Sequence, residues 1–88
     1  MKLFVTGAAG FIGSETGRQL VDAGHSVFGV DNLNDYYDVG LKAHRLDRLT
    51  PLDGFQFEKV DIEDVNSLRG IFKSNPFDAV INLAARAG

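Results

Sequence analysis

Residues 2–13 read KLFVTGAAGFIG, an apolar run that leads directly into three glycines, Gly7, Gly10 and Gly13. The apolar run predicts a buried β-strand, and glycines at three-residue spacing predict a tight turn that opens a helix. Gly7 allows the chain to reverse, Gly10 leaves room for a ligand, and Gly13 allows the helix to pack against the strand. The N-terminus of such a helix attracts phosphate oxygens. The stretch therefore predicts a strand, turn and helix that hold a diphosphate.

A second apolar run, residues 26–30, ends at Asp31. Asp31 comes roughly twenty residues after the glycine turn, where an acidic side chain can accept the ribose hydroxyls of an adenosine. Together the turn and the carboxylate predict a dinucleotide site. The alternative is a purely structural turn with an aspartate that faces solvent.

The composition limits the class of protein. The chain has 88 residues, a net charge of −3 and no cysteine, so it is one small domain or part of a larger one. No basic patch favours nucleic acid or a membrane surface, and neither disulfides nor thiolate metal sites can form. No metal site is predicted, and His25 and His44 are expected to be surface residues. We expect a cytoplasmic protein.

Apolar runs alternate with helical patterns along the whole chain, which indicates βαβ units and a parallel sheet. The predicted strands are 2–6, 26–30, 55–60 and 78–83, and the predicted helices are 11–23, 38–49 and a short one capped by Asp64. The first helix is expected to turn Ile12, Thr16, Leu20 and Ala23 inward, with Gly17 close to the sheet, and the second Val39, Ala43, Leu46 and Leu49. The fourth strand is apolar enough to be covered on both faces.

Right-handed crossovers place these strands in the order 3-2-1-4, with the ligand crevice above strand 1. This is the N-terminal half of a doubly wound α/β sheet, the Rossmann fold. We expect residues 1–88 to be the N-terminal part of such a domain, with the remainder and a substrate domain elsewhere in a longer protein. Strand 4 would then be an open edge, through which the isolated chain would self-associate.

Two motifs resemble those of the extended short-chain dehydrogenases. Residues 6–13, TGAAGFIG, resemble their glycine motif, and residues 82–85, NLAA, resemble their strand-four signature. The narrower segment 31–42, DNLNDYYDVGLK, is similar to that of the UDP-glucuronate 4-epimerases and related sugar-nucleotide epimerases. The resemblance covers essentially the whole chain.

The resemblance implies a protein that binds NAD, acts on a UDP-sugar, and moves a hydride from sugar C4 to the nicotinamide and back. It also implies a homodimer. It assigns the diphosphate to Gly7, Gly10 and Gly13, with backbone N–H groups from Phe11 and Ile12. It assigns the adenosine ribose to Asp31, Asn32 and Asn34, the adenine to Asp61 and Ile62, and the cofactor-lining positions after strand 4 to Leu83, Ala84 and Ala85.

Catalysis in this family needs a Tyr-x-x-x-Lys pair, whose tyrosine accepts the C4 hydroxyl proton. Tyr36 and Tyr37 are followed four residues later by Gly40 and Leu41, so neither forms that pair. We therefore predict no catalytic residue within this chain. A dehydratase, a reductase, or a non-catalytic NAD-binding or interaction module remain as alternatives.

Several polar and aromatic residues have a structural alternative. Tyr36 and Tyr37 either cover the ligand or pack their loop on the following helix. Asp61 either contacts the ligand or serves as a turn residue. Glu63 and Asp64 are interpreted as helix-capping residues rather than as an acid–base pair, because carboxylates are favoured at a helix start.

Overall fold

The architecture is an open parallel sheet with helices on both faces. The computed structural model describes residues 1–33 and 39–83. The elements in chain order are β1 (Lys2–Thr6), α1 (Phe11–Asp22), β2 (Ser26–Asp31), α2 (Val39–Leu49), β3 (Phe55–Lys59), α3 (Val65–Ser74) and β4 (Ala79–Asn82).

The sheet order is β3-β2-β1-β4, and all three pairings are parallel. This confirms the predicted α/β fold and strand order. The winding direction reverses at β1, so the carboxyl ends of β1, β2 and β4 border the crevice in which such sheets bind ligands. Within the described ranges β4 is an edge strand.

Each face of the sheet carries its own core cluster. On one face Val5, Val27 and Phe55 pack with Leu49 of α2, and Leu20 of α1 lies against them. The alternating residues of β1 and β2 point to the other face, because successive strand side chains point in opposite directions. There Phe4, Phe28 and Val30 pack with Ile71 of α3, and the ring of Phe4 lies 4.9 Å from that of Phe72 and 5.1 Å from that of Phe77.

The predicted inward face of α1 is wrong at two positions. Ile12 is 67% exposed, and Ala23 is an exposed cap beyond the end of the helix. The buried residues of α1 are Gly13 and Gly17. As predicted, Gly17 lies close to the sheet, since a Cβ there would be 3.5 Å from the ring of Phe55. The helix rotates toward its glycines because a backbone without side chains can approach the sheet most closely.

Smaller differences concern the other elements. In α2, Leu46 and Leu49 are buried as predicted, but Ala43 is exposed; the side chain of Val39 lies outside the described residues. Val80 of β4 is 54% exposed, so one face of this strand is not covered by the described residues, contrary to the prediction. Strands β3 and β4 are shorter than predicted, whereas β2 extends to Asp31, which pairs with Lys59.

Candidate functional site

The glycine turn between β1 and α1 is built by close backbone approach. Gly7 has a φ of 68°, which favours glycine. The N–H of Gly10 donates to the carbonyl of Gly7 at 3.0 Å, which closes the turn. A Cβ at Gly13 would lie 1.9 Å from the Gly7 carbonyl oxygen. The roles predicted for Gly7 and Gly13 in the turn therefore have direct steric reasons.

The N-terminus of α1 is open to a ligand. Its N-cap, Gly10, has no side chain to accept a hydrogen bond, and the first turn contains no acidic residue. Phe11 and Ile12 are 75% and 67% exposed. The first N–H groups of a helix have no partner within the helix. Here they combine with the positive end of the helix dipole to favour an anion such as a diphosphate.

Asp31 is held against this turn at the end of β2. Its side chain is 4% exposed. Oδ2 accepts the N–H of Ala9 at 3.1 Å, and Oδ1 accepts the N–H of Leu33 at 2.8 Å. The alternative of an aspartate that faces solvent is therefore wrong. The carboxylate instead joins the glycine turn to the second strand.

Two cations from α2 complete this part of the site. The ammonium of Lys42 donates to Asp31 Oδ1 at 3.1 Å, and the Lys42 side chain is 17% exposed. Arg45 Nη1 donates to the carbonyl of Ala9 at 3.3 Å, and its guanidinium lies 5.8 Å from the centre of the Phe11 ring. The Ala9 peptide groups are thus bonded to Asp31 on one side and to α2 on the other.

The residues after β3 lie, like Asp31, at the carboxyl ends of the parallel strands. The N–H of Val60 donates to the Asp31 carbonyl at 3.1 Å. Asp61 is exposed, and its Oδ1 accepts the N–H of Glu63 at 2.9 Å, as a turn residue would. Ile62 is half-buried. The adenine contacts predicted for Asp61 and Ile62 remain predictions, and Asp61 has a structural role in either case.

A threonine ties the ends of β1 and β4 together. The buried Thr6 hydroxyl donates to Asn82 Oδ1 at 2.5 Å and accepts the N–H of Leu83 at 3.0 Å. Leu83 is therefore positioned beside the start of the glycine turn.

Some residues to which the sequence assigned ligand contacts lie outside the described residues: Asn34, Tyr36, Tyr37, Ala84 and Ala85. Asn32 is described and is half-buried next to Asp31.

The acidic pair before α3 has the predicted capping role in one of its members. Asp64 Oδ1 accepts the N–H of Ser67 at 3.2 Å, and Oδ2 accepts its hydroxyl at 2.7 Å. These hydrogen bonds hold the pKa of Asp64 below its usual value.

The pKa of Glu15, on the exposed side of α1, is also lowered, chiefly by a hydrogen bond from Arg18.

Sequence reasoning missed Thr6, Ala9, Lys42 and Arg45 as parts of this site. The threonine and alanine belong to the glycine motif, but no sequence pattern indicates which groups they bond. Lys42 and Arg45 are three residues apart on α2, so they share a helix face, but only the packing of α2 shows that this face meets the turn. A further missed signal is Gly29, where a Cβ would lie 2.6 Å from the Cβ of Ala8.

Membrane-spanning helices and clusters of metal ligands are absent from the described ranges, 1–33 and 39–83. These ranges contain no helix that is both long and apolar enough to cross a membrane. They also bring together no group of three His, Asp or Glu side chains that could ligate a metal ion.

The family model described as GDP-mannose 4,6 dehydratase matches residues 4–88. The chain belongs to this family. It is 51% identical, over 84 residues and 96% of its length, to a UDP-glucuronate 4-epimerase of Thermodesulfobacterium geofontis. The UDP-glucuronic acid 4-epimerase of Bacillus cereus in complex with NAD matches all of the chain with a TM-score of 0.87 and 35% identity. The complex of that enzyme with UDP-glucuronic acid and NAD matches with a TM-score of 0.86.

The match covers only part of each relative. The chain spans 26% of the Thermodesulfobacterium protein, and 28% and 27% of the two Bacillus cereus chains. The shared part is thus about a quarter of these proteins.

Proposed function

We propose that this chain is the NAD-binding part of a sugar-nucleotide 4-epimerase that acts on UDP-glucuronate. The observation that carries the proposal is the bond between the Ala9 N–H and Asp31, which holds a buried carboxylate beside an open helix N-terminus. This arrangement provides one group for an anionic diphosphate and another for a ribose hydroxyl at adjacent positions. The relatives support the choice of NAD and of the sugar nucleotide.

The family resemblance assigns each part of NAD to its own group of residues. Gly7, Gly10 and Gly13, with the N–H groups of Phe11 and Ile12, would hold the diphosphate. Asp31, Asn32 and Asn34 would hold the adenosine ribose, Asp61 and Ile62 the adenine, and Leu83, Ala84 and Ala85 would line the cofactor. When bound, NAD supplies a hydride acceptor and returns the hydride.

Asp31 has limited capacity for the ribose. A carboxylate offers about four acceptor positions, and bonds from Ala9, Leu33 and Lys42 use three of them. Asp31 can therefore accept a hydrogen bond from one ribose hydroxyl without rearrangement. A second hydroxyl would have to compete with one of the three donors that already bond to the carboxylate. This chain binds and orients the adenosine half, whereas the acid–base groups of the reaction belong to other parts of the enzyme.

We further propose that the chain is the N-terminal part of a longer enzyme, that the enzyme is a cytoplasmic homodimer, and that it binds neither nucleic acid nor membranes. The net charge of −3 supports the last point. Sedimentation of the full-length gene product would test the dimer.

The direct test uses the full-length protein that carries this sequence. Calorimetric titration should detect NAD binding, and incubation with UDP-glucuronate should yield its C4 epimer, UDP-galacturonate, resolved by chromatography. Failure to bind NAD would overturn the proposal. The variant Gly10→Val serves as the control, because it should lose both binding and turnover.

The second candidate is a dehydratase, which the description of the matching family model favours. Incubation with GDP-mannose distinguishes the two, because 4,6-dehydration lowers the product mass by one water, whereas epimerisation leaves the mass unchanged. NAD binding without turnover of either sugar nucleotide would instead identify a non-catalytic module.

A further inference from the structure

Lys42 places a positive charge inside the proposed adenosine site. Its ammonium lies 3.1 Å from Asp31 Oδ1, and the two side chains are 17% and 4% exposed. Arg45, on the same face of α2, reaches the neighbouring Ala9 carbonyl. Because the side chains of Lys42 and Asp31 are poorly exposed, solvent screens their charges weakly. Each of these two charges therefore acts strongly on any charged group that enters the site.

The charge of Lys42 affects how the site distinguishes NAD from NADP. NADP carries a phosphate on the ribose 2′-oxygen, where NAD carries a hydroxyl. An unpaired aspartate at this place repels that phosphate. Asp31 is paired, however, and an ammonium within hydrogen-bond distance offsets much of its field at the ribose.

We infer that Lys42 is a specificity-determining residue, which weakens the discrimination against NADP that Asp31 would impose alone. The inference rests on the proposed function, because it requires that the dinucleotide lie with its ribose at Asp31. Lys42 thus sets how strongly the site prefers NAD. The preference itself comes from the hydrogen bond that Asp31 accepts from the hydroxyl.

The competing role for Lys42 is to hold Asp31 in place. In that case removal of the ammonium would disorder the carboxylate. The affinities for NAD and NADP would then fall by the same factor, or the affinity for NAD would fall more. A charge effect acts mainly on the 2′-phosphate. The ratio of the two dissociation constants therefore separates the two roles, although each constant alone does not.

The experiment measures the Kd of NAD and of NADP by calorimetry on the full-length protein and on Lys42→Met. We expect the ratio of Kd for NADP to Kd for NAD to rise about fivefold, which corresponds to about 1 kcal/mol of binding free energy. The matched control is Lys73→Met in the last turn of α3, which removes the same charge from another element and should leave the ratio unchanged.

Lys42→Arg keeps the charge and should leave the ratio within about twofold of the wild type, and Lys42→Gln replaces Lys42→Met if the latter does not fold. An unchanged or smaller ratio in the folded neutral variant would overturn the inference while the proposed function stands. Failure of the wild-type protein to bind NAD would overturn the proposed function itself.

Discussion

The carbonyl oxygen of Gly7 occupies the space that a side chain at Gly13 would need, since a Cβ there would lie 1.9 Å from it. The Gly7 carbonyl belongs to the backbone, and a Cβ at residue 13 is bonded directly to the backbone, so neither group can rotate away. The first turn of α1 can therefore lie on the end of β1 only when residue 13 is glycine.

Gly13→Ala should displace α1 from the turn and abolish NAD binding in the full-length protein. The loss of packing should also lower the free energy of unfolding, measured by urea denaturation. Gly70→Ala is the matched control on α3, because, outside the backbone of α3 itself, no atom of the described residues lies within 4 Å of the added Cβ. It should stabilise the protein by about 0.5–1 kcal/mol. Wild-type NAD affinity in Gly13→Ala would contradict the role of this approach.

Gly10→Val should remove NAD binding with little loss of secondary structure. Among the described residues other than its chain neighbours, a Cβ at Gly10 would meet only the Gly7 carbonyl oxygen, at 3.2 Å, so a small shift accommodates it. The valine methyl groups would, however, fill the space that we assign to the diphosphate. Circular dichroism and calorimetric titration measure the two effects separately. Gly70→Val is the control and should bind NAD normally. Unchanged affinity in folded Gly10→Val would place the diphosphate elsewhere.

Asp31→Ala should reduce the preference for NAD over NADP, because it removes both the acceptor for the ribose hydroxyl and the negative charge near a 2′-phosphate. It also leaves the N–H groups of Ala9 and Leu33 without their acceptor, and the free energy of unfolding should fall by about 1–3 kcal/mol. Asp31→Asn keeps the size and one acceptor oxygen, so it should narrow the preference with a smaller loss of stability. Tighter binding of NADP than of NAD by the wild-type protein would contradict the assignment.

Asp61→Ala should weaken NAD binding by about 0.5–1.5 kcal/mol through loss of a hydrogen bond to the adenine amino group, and turnover at saturating NAD should not change. Asp53→Ala is the control, because Asp53 is exposed in the loop before β3, at the opposite end of that strand. If Asp61→Ala lowers stability but binds NAD normally, Asp61 acts only through its bond from the Glu63 N–H.

The N-cap of α3 predicts a defined acid sensitivity. Hydrogen bonds from the Ser67 hydroxyl and N–H lower the pKa of Asp64 below its ordinary value of 3.8. A lowered pKa in the folded state stabilises the protein above that ordinary value, and the contribution disappears as the pH falls through the folded pKa. Asp64→Asn keeps a capping oxygen that does not titrate, so its stability should fall less below pH 3.8. Equal acid sensitivity of the two proteins, measured by urea denaturation, would exclude this contribution.

The strand order and the glycine turn could be predicted because their signals are local. Apolar runs that alternate with helical patterns specify a parallel sheet, and the handedness of the crossovers leaves few orders to consider. The spacing of Gly7, Gly10 and Gly13 similarly predicts the turn. The inward face of α1 was not predictable from apolar periodicity, because this helix packs through Gly13 and Gly17, which hydrophobicity does not mark.

The order of the elements, the glycine turn and the place of Asp31 at the end of β2 follow from the sequence alone, because each depends on neighbouring residues and on backbone sterics. The surroundings of Asp31 follow only from the three-dimensional packing of the chain. The Ala9 N–H and the Lys42 ammonium reach the carboxylate from different elements, and the Thr6 hydroxyl reaches Asn82 across the sheet. Such bonds depend on the rotation of α2 and on the register of β1 with β4. Packing of the whole chain determines both.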